Sequence, residues 1–257
     1  GMCRIGYVPS PEAIEEVKKI AALPGIAMQG IFTHFSEADI ADKEWAHEQH
    51  RRFSDFIDAL KAAGVTFNIH HCCNSAGTLE LPDFHREMIR PGIIQYGYDA
   101  SKEVLVTGTK IKPVMSLRCC ITHLKTIYEG DCVGYGRHFT ATGPTKIATL
   151  PIGYADGYNP ALSSKIDVIV HGVRAHQVGN ICMDQCMIDV SHIPDVKVGD
   201  EVVLFGEQGS ECVSADEIAD TCHTIIHEIT CNINRRVPRV YVQNGKIVQR
   251  LEYLTQS

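Results

Sequence analysis

The chain has 257 residues, 44% of them hydrophobic and 21% charged, which is the composition of a globular protein and not of a disordered one. Twenty-four Lys plus Arg stand against 31 Asp plus Glu, and the net charge of −7 argues against a nucleic-acid binder, which needs a basic face. No apolar run approaches the ~18 residues that cross a bilayer.

In chain order, Ser10-Pro11-Glu12 reads as an N-cap, a proline in the first turn and an acid beside it. Ile14, Val17, Ile20 and Ala21 follow at helical spacing, and Pro24-Gly25 stops the helix. Gly30 to Phe35 reads as a buried strand. A long helix is predicted from Asp42 to Ala63, with Trp45, Phe53, Phe56, Ile57 and Leu60 as its apolar stripe and Gly64 behind it. Val65 to His70 is the next strand, Asn74-Ser75-Ala76-Gly77 opens a short helix, and Glu87 to Gly92 reads as a third strand running into a turn. Strands and helices alternating at this spacing predict parallel βαβ units. Beyond about residue 105 the texture changes. Short β-branched runs such as Val168-Ile169-Val170 and Glu201 to Phe205 are separated by Gly and Asp turns, which predicts mostly antiparallel β structure. One helix is expected from Ser214 to Thr221, with Ser214 and Glu217 spaced as a capping box. The expected units are therefore 1–105 and 106–257.

The eleven cysteines form no CxxC pair. Cys72-Cys73 and Cys119-Cys120 are adjacent, which suits neither a staple nor a tetrahedral site. Buried free thiols in a reducing compartment, the cytoplasm, are the expectation. Cys182 and Cys186 with His176 match no familiar ligand set, so no metal centre is expected.

Three polar groups fall at the C-terminal ends of successive predicted strands: His34, the Asn74-Ser75 pair and Arg90. Catalytic groups of parallel α/β folds collect at that edge. Each also has a plain structural reading, His34 as a satisfied strand-end group and Asn74-Ser75 as an N-cap. A helix start with a hydroxyl, next to Pro91-Gly92, also suits a phosphate. In the β region, Val133-Gly134-Tyr135-Gly136 sets a tyrosine between two glycines, where a backbone or ligand can approach closely. These spacings alone identify no reaction.

Taken together, Gly1-Met2-Cys3-Arg4-Ile5-Gly6, Phe32-Thr33-His34-Phe35, Asn74-Ser75-Ala76, Arg90-Pro91-Gly92-Ile93, Gly134-Tyr135-Gly136, Pro151 to Gly157, Cys182-Met183-Asp184-Gln185 and Arg236-Val237-Pro238-Arg239 resemble, in the same order, the motifs of bacterial alanine racemases. The resemblance implies an α/β plus β chain, a (β/α)8 TIM barrel followed by a β domain, with pyridoxal 5′-phosphate as cofactor and a head-to-tail homodimer. That cofactor forms an imine with the amino acid and acidifies its α-hydrogen, and the protein supplies orientation and bases. Tyr135 matches the family's tyrosine base, which comes from the partner subunit. The other base is the cofactor lysine. His34 matches the histidine that links the tyrosine to an arginine, and Arg90 matches that arginine, which donates to the pyridine nitrogen. Ser75, Gly92 and Ile93 match the phosphate cradle. Arg4 matches the arginine near the substrate carboxylate, and Tyr154, Met183 and Asp184 match residues of substrate binding and the entrance.

Two departures stand out. His227, in Thr224-Ile225-Ile226-His227-Glu228, lies where the family reads a tyrosine that holds the phosphate. No lysine stands in the family's Val-Val-Lys-Ala-Asn-Ala-Tyr-Gly-type motif. Lys18, Lys19 and Lys61 are placed on solvated helix faces, and Lys102, Lys110 and Lys112 lie beyond the strands. Counting βα units, residues 1–105 are expected to be the C-terminal half of the barrel, with on the order of 120 residues missing before Gly1 as an N-terminal half-barrel. The expected activity is L-/D-alanine racemisation by two bases, supplying D-alanine for peptidoglycan. Other readings are a racemase of serine or of broader specificity, a non-catalytic cofactor-binding or interaction fragment, and a metal-binding protein.

Overall fold

The computed structural model describes residues 1–103 and 111–254, in two compact units, Gly1–Val114 and Met115–Ser257. The expected boundary at residue 105, with Lys110, lies outside the described residues. No helix among the described residues is long and apolar enough to cross a membrane.

The first unit contains α1 (Pro11–Ala21), β1 (Gly30–Phe32), α2 (Glu44–Ala62), β2 (Ile69–His71) and α3 (Ser75–Glu80). Ser10 caps α1 as its position suggests, its Oγ accepting from Ala13 N–H at 3.2 Å. β1 and β2 pair in parallel, Gly30 with Ile69 and Phe32 with His71, as a βαβ unit across α2 requires. Phe53 and Ala46 of α2 pack with Phe35, Cys72, Cys73, Ala76 and Phe84 as the core.

Both strands are shorter than expected. Past Phe32 the carbonyl of His34 and the N–H of Ser36 are taken by the buried amide of Gln49 on α2, so a side chain replaces the ladder. The predicted third strand, Glu87 to Gly92, is not a strand. One backbone bond joins it to its neighbour, Arg90 N–H to Cys73 O at 3.0 Å. Pro91 has no N–H to give, and the Gly92 N–H goes to the Ser75 hydroxyl.

The second unit is built on an eight-stranded antiparallel sheet. Its strands are β3 (Leu117–Cys120), β4 (His123–Ile127), β7 (Thr145–Leu150), β8 (Asp167–Val170), β9 (Val173–Val178), β10 (Cys186–Asp189), β11 (Glu201–Gln208) and β12 (Glu211–Val213). Their order is β12-β11-β8-β9-β10-β7-β4, with β3 on β11. Separate two-stranded ribbons are formed by β5 (Cys132–Val133) with β6 (Phe139–Thr140), and by β13 (Arg239–Gln243) with β14 (Lys246–Leu251). The mostly antiparallel texture read after residue 105 is what this unit displays. Helix α4 (Ala215–Thr221) starts at Ser214 as expected, whereas α5 (Ile226–Asn232) was not anticipated, its β-branched residues masking a helical face of Ile226 and Ile229.

All eleven cysteines are free. The expectation of buried thiols holds for Cys72, Cys73 and Cys186 and fails for Cys3, Cys120, Cys212 and Cys231, which are exposed.

Candidate active site

The ends of β1 and β2 deliver Thr33, His34 and His71 to one place, and Arg90 reaches into it. Its Nη1 donates to His71 Nδ1. Its Nη2 donates to Thr33 O at 3.1 Å and Cys72 O at 3.3 Å, and faces His34 Nδ1 at 3.4 Å. The guanidinium carbon lies 5.2 Å from the centre of the Phe32 ring, which also stacks on His71 at 5.1 Å and 8°. A guanidinium only donates, so both facing imidazole nitrogens must be bare acceptors. The electrostatics agree. Burial lowers the pKa of His34, with Arg90 and then Arg4 adding to the effect; burial and then Arg90 lower that of His71. Both rings are thereby held neutral beside a fixed cation. Among the described residues Arg90 Nε makes no hydrogen bond, so its N–H is unspent.

A few residues on, Asn74 caps α3 by accepting from Gly77 N–H at 3.0 Å, as its plain reading has it. Ser75 does something else. Its Oγ accepts from Gly92 N–H at 2.9 Å, which leaves the hydroxyl proton free to donate. A Cβ at Gly92 would stand 3.4 Å from that Oγ. Ile93 begins a 3-10 turn, Ile93–Tyr96, directly after it. Ser75, Gly92 and Ile93 therefore form one cradle: the Gly92 N–H orients the Ser75 hydroxyl, and that hydroxyl with the Ile93 N–H is a donor set that suits an anion.

The second unit carries the other expected residues. Tyr135 follows β5 at the start of a single 3-10 turn and is 76% exposed, not a strand tyrosine. Gly134 and Gly136 both have positive φ, which gives the glycines on either side of it a conformational reason. Asn180 Nδ2 donates to Tyr135 O at 3.0 Å. The same loop reaches the Tyr154 turn, with Tyr154 N–H on Cys182 O at 3.1 Å and Ala155 N–H on Met183 O at 2.8 Å. A Cβ at Gly153 would meet Cys182 O at 2.2 Å, so this approach requires glycine. Buried Asp156 accepts from Gly153 N–H and pairs with Arg236 at 3.1 Å, tying the turn to the Arg236 motif. Tyr135, Tyr154, Met183 and Asp184 thus share one loop system, and Tyr135 borders a cleft of about 470 Å³ with Cys132, Cys182 and Met187.

Arg4 lies in the first unit, near enough for its charge to reach His34. His227 is an exposed residue of α5 in the second. No group of three or more His, Cys, Asp or Glu among the described residues is placed to hold a metal ion. Sequence reasoning missed His71, Gln49 and Asn180. Gln49 had a signal, being the polar residue between Trp45 and Phe53 on the apolar stripe of α2. His71 had no signal of its own, since the expected strand ended at His70 and β2 runs one residue further.

Two family descriptions match, "Alanine racemase, N-terminal domain" over residues 1–100 and "Alanine racemase, C-terminal domain" over 114–241. A curated relative, alanine racemase 1 of Clostridium acetobutylicum, is 46% identical over 254 residues, 99% of this chain and 66% of that protein. An alanine racemase of Clostridium difficile solved in complex with cycloserine superposes with a TM-score of 0.91 at 41% identity, covering 97% of this chain and 66% of that one. The Bacillus anthracis alanine racemase with bound L-Ala-P gives 0.94 at 35% identity, covering 99% and 65%. The chain spans about two thirds of the length of the relatives it matches.

Proposed function

The chain belongs to the alanine racemase family, and from that premise we propose that the protein interconverts L- and D-alanine with pyridoxal 5′-phosphate. The observation that carries the reading is a match to alanine racemases along nearly the whole chain; the contact of Arg90 with His34 and the Ser75–Gly92 bond beside the parallel strand pair support it. The residues present fit the cofactor. The Ser75 hydroxyl, oriented by the Gly92 N–H, suits its phosphate together with the Ile93 N–H, and the unspent Nε of Arg90 suits its ring nitrogen. When bound, the cofactor withdraws electrons from the amino acid and acidifies its α-hydrogen.

The chain's own residues do the rest. Arg90 donates a hydrogen bond without giving up its proton, so it orients a ring nitrogen and leaves it unprotonated. That restrains the electron sink and with it side reactions. Tyr135 Oη takes or returns the α-proton on one face of the substrate, with His34 between it and Arg90. Arg4 binds the substrate carboxylate. Tyr154, Met183 and Asp184 shape substrate binding and the entrance, and His227 adds a phosphate contact.

In this reading residues 1–105 are the C-terminal half of a (β/α)8 barrel and 106–257 its β domain. The lysine that serves as second base lies outside the 257 residues, and Tyr135 acts in the partner subunit of a head-to-tail homodimer. The parallel β1–β2 pair across α2 supports the barrel assignment. Eleven free thiols support a reducing cytoplasm, where D-alanine is made for peptidoglycan.

The test is D-alanine formation from L-alanine by the full-length protein with pyridoxal 5′-phosphate. Racemisation is expected, with Tyr135→Phe reducing kcat by on the order of 10²- to 10⁴-fold, the usual worth of a positioned acid-base group. Absence of D-alanine, or faster turnover of serine than of alanine, would overturn the reading.

A further inference from the structure

Arg90 has four acceptors, and three are weak restraints. Its contacts to Thr33 O, Cys72 O and His34 Nδ1 are all made by the single nitrogen Nη2, at 3.1, 3.3 and 3.4 Å. Contacts on one nitrogen fix that atom but not the swing of the planar guanidinium about it, which is opposed by what holds the other nitrogen. Among the described residues Nη1 has one partner, His71 Nδ1. The His71 ring is itself immobilised, stacked nearly parallel on Phe32 at 5.1 Å while Arg90 packs over the same ring.

We propose that His71 is a positioning residue for the reaction: its bare Nδ1 locks the Arg90 fork in the one orientation that offers Nε to the cofactor ring. The proposal rests on the racemase reading above for its function, though not for the bond itself.

The charges around His71 fit this role. Arg90 faces it directly, with the neutral His34 ring at the other nitrogen of the fork, and the Arg4 charge also reaches His34. The Cys72 and Cys73 thiols that follow His71 in sequence lie 3.9 Å apart in the buried core. The Glu87 carboxylate, on the segment beside β2, is spent on His70, accepting from its N–H at 2.8 Å and meeting its Nδ1 at 2.9 Å. Successive strand residues point to opposite faces, so Glu87 does not offset a charge on His71. A proton on Nδ1 would remove the one acceptor that Nη1 has among the described residues and set a second cation against the guanidinium.

Two variants separate acceptor from bulk. His71→Phe keeps a flat ring on Phe32 and removes the acceptor; His71→Asn loses the ring but places an amide oxygen near the position of Nδ1. In the full-length enzyme with cofactor, His71→Phe should lower kcat by on the order of 10- to 100-fold, the cost of a misplaced group near the chemistry, with KM for L-alanine little changed. His71→Asn should recover most of the loss. Independently of activity, ¹⁵N NMR of the parent should show His71 protonated on Nε2 alone at neutral pH. A resolved Arg90 guanidinium signal should be present in the parent, lost in His71→Phe and regained in His71→Asn. A His71→Phe enzyme as fast as the parent, equal damage in both variants, or a protonated Nδ1 at neutral pH would overturn the proposal. A parent that makes no D-alanine overturns the racemase reading instead, and the NMR arms still decide the His71–Arg90 bond.

Discussion

Tyr154 and Tyr158 flank one turn, and the sequence presents them as a repeated Gly-Tyr pair. Tyr154 is 45% exposed and Tyr158 is 2% exposed. The difference comes from Gly157, whose φ of +100° turns the chain inward against Asn232, where a Cβ would stand 2.1 Å from a carbonyl oxygen. The Tyr158 hydroxyl is buried within reach of the charges of Cys186, Cys119 and Cys222, with no hydrogen-bond partner among the described residues, and burial raises its pKa well above that of a free phenol. An unpaired buried hydroxyl costs about 1–3 kcal/mol of desolvation. Tyr158→Phe should therefore stabilise the protein, by about 1 kcal/mol once lost dispersion is deducted. A higher urea midpoint with an unchanged slope is the expected result; a lower one would mean that the hydroxyl has a partner. At this scale motif residues were legible and their environments were not. His34, Ser75 and Arg90 could be named from strand ends, but His71 became visible only when β2 ran one residue further than its β-branched pattern.

Helix α4 separates two roles that one sequence signal conflated. Ser214 and Glu217 have capping-box spacing, and half of the box forms, with Ser214 Oγ accepting from Glu217 N–H at 3.0 Å. The Glu217 carboxylate turns away to Arg174, taking Nη1 at 2.7 Å and Nη2 at 3.0 Å. Arg174 on β9 also contacts Glu211 of β12, so Glu217 is one anchor of a helix-to-sheet clasp. Ser214→Ala should cost about 1 kcal/mol, the ordinary worth of an N-cap. Glu217→Gln should leave the cap in place and loosen the clasp instead. Thermal unfolding gives the first. Hydrogen exchange gives the second, with faster exchange in β9 and β12 and no change in the first turn of α4; faster exchange in that turn would mean the carboxylate serves the cap. The elements themselves were legible where the signal was local: the Ser10 cap and the long stripe of α2 both appear. The third strand was misread because backbone pairing depends on which N–H groups remain, and Pro91 and the Ser75 hydroxyl had removed two of them.

At the scale of the whole molecule the two units differ in how they carry protons, and this separates their stabilities. Among the described residues, the histidines with lowered pKa are His34, His50 and His71, all in the first unit, and burial is the leading cause in each. The unfolded chain binds those protons from about pH 6.5 downward while the fold resists them, so this unit is at full strength above that pH and loses stability as the solution is acidified. The second unit holds Cys119, Cys186, Cys212 and Cys222, whose thiols burial pushes upward, Cys119 to about 12. There the unfolded state releases protons first, above about pH 8.5, and stability falls as pH rises. In the first unit the thiols of Cys72 and Cys73 share one hydrogen bond and shift in opposite directions, which leaves less net alkaline effect. The single tryptophan, Trp45, sits on α2 of the first unit and reports on it alone. Urea unfolding followed by Trp45 fluorescence should shift to lower denaturant between about pH 7.5 and about pH 5.5, while the β-sheet signal in far-ultraviolet circular dichroism holds its midpoint. Above about pH 9 the order should reverse, with the sheet signal yielding first. If both signals moved together at every pH, the two units would be unfolding as one cooperative body, and the separate hydrophobic cores of the fold would not be separate sources of stability.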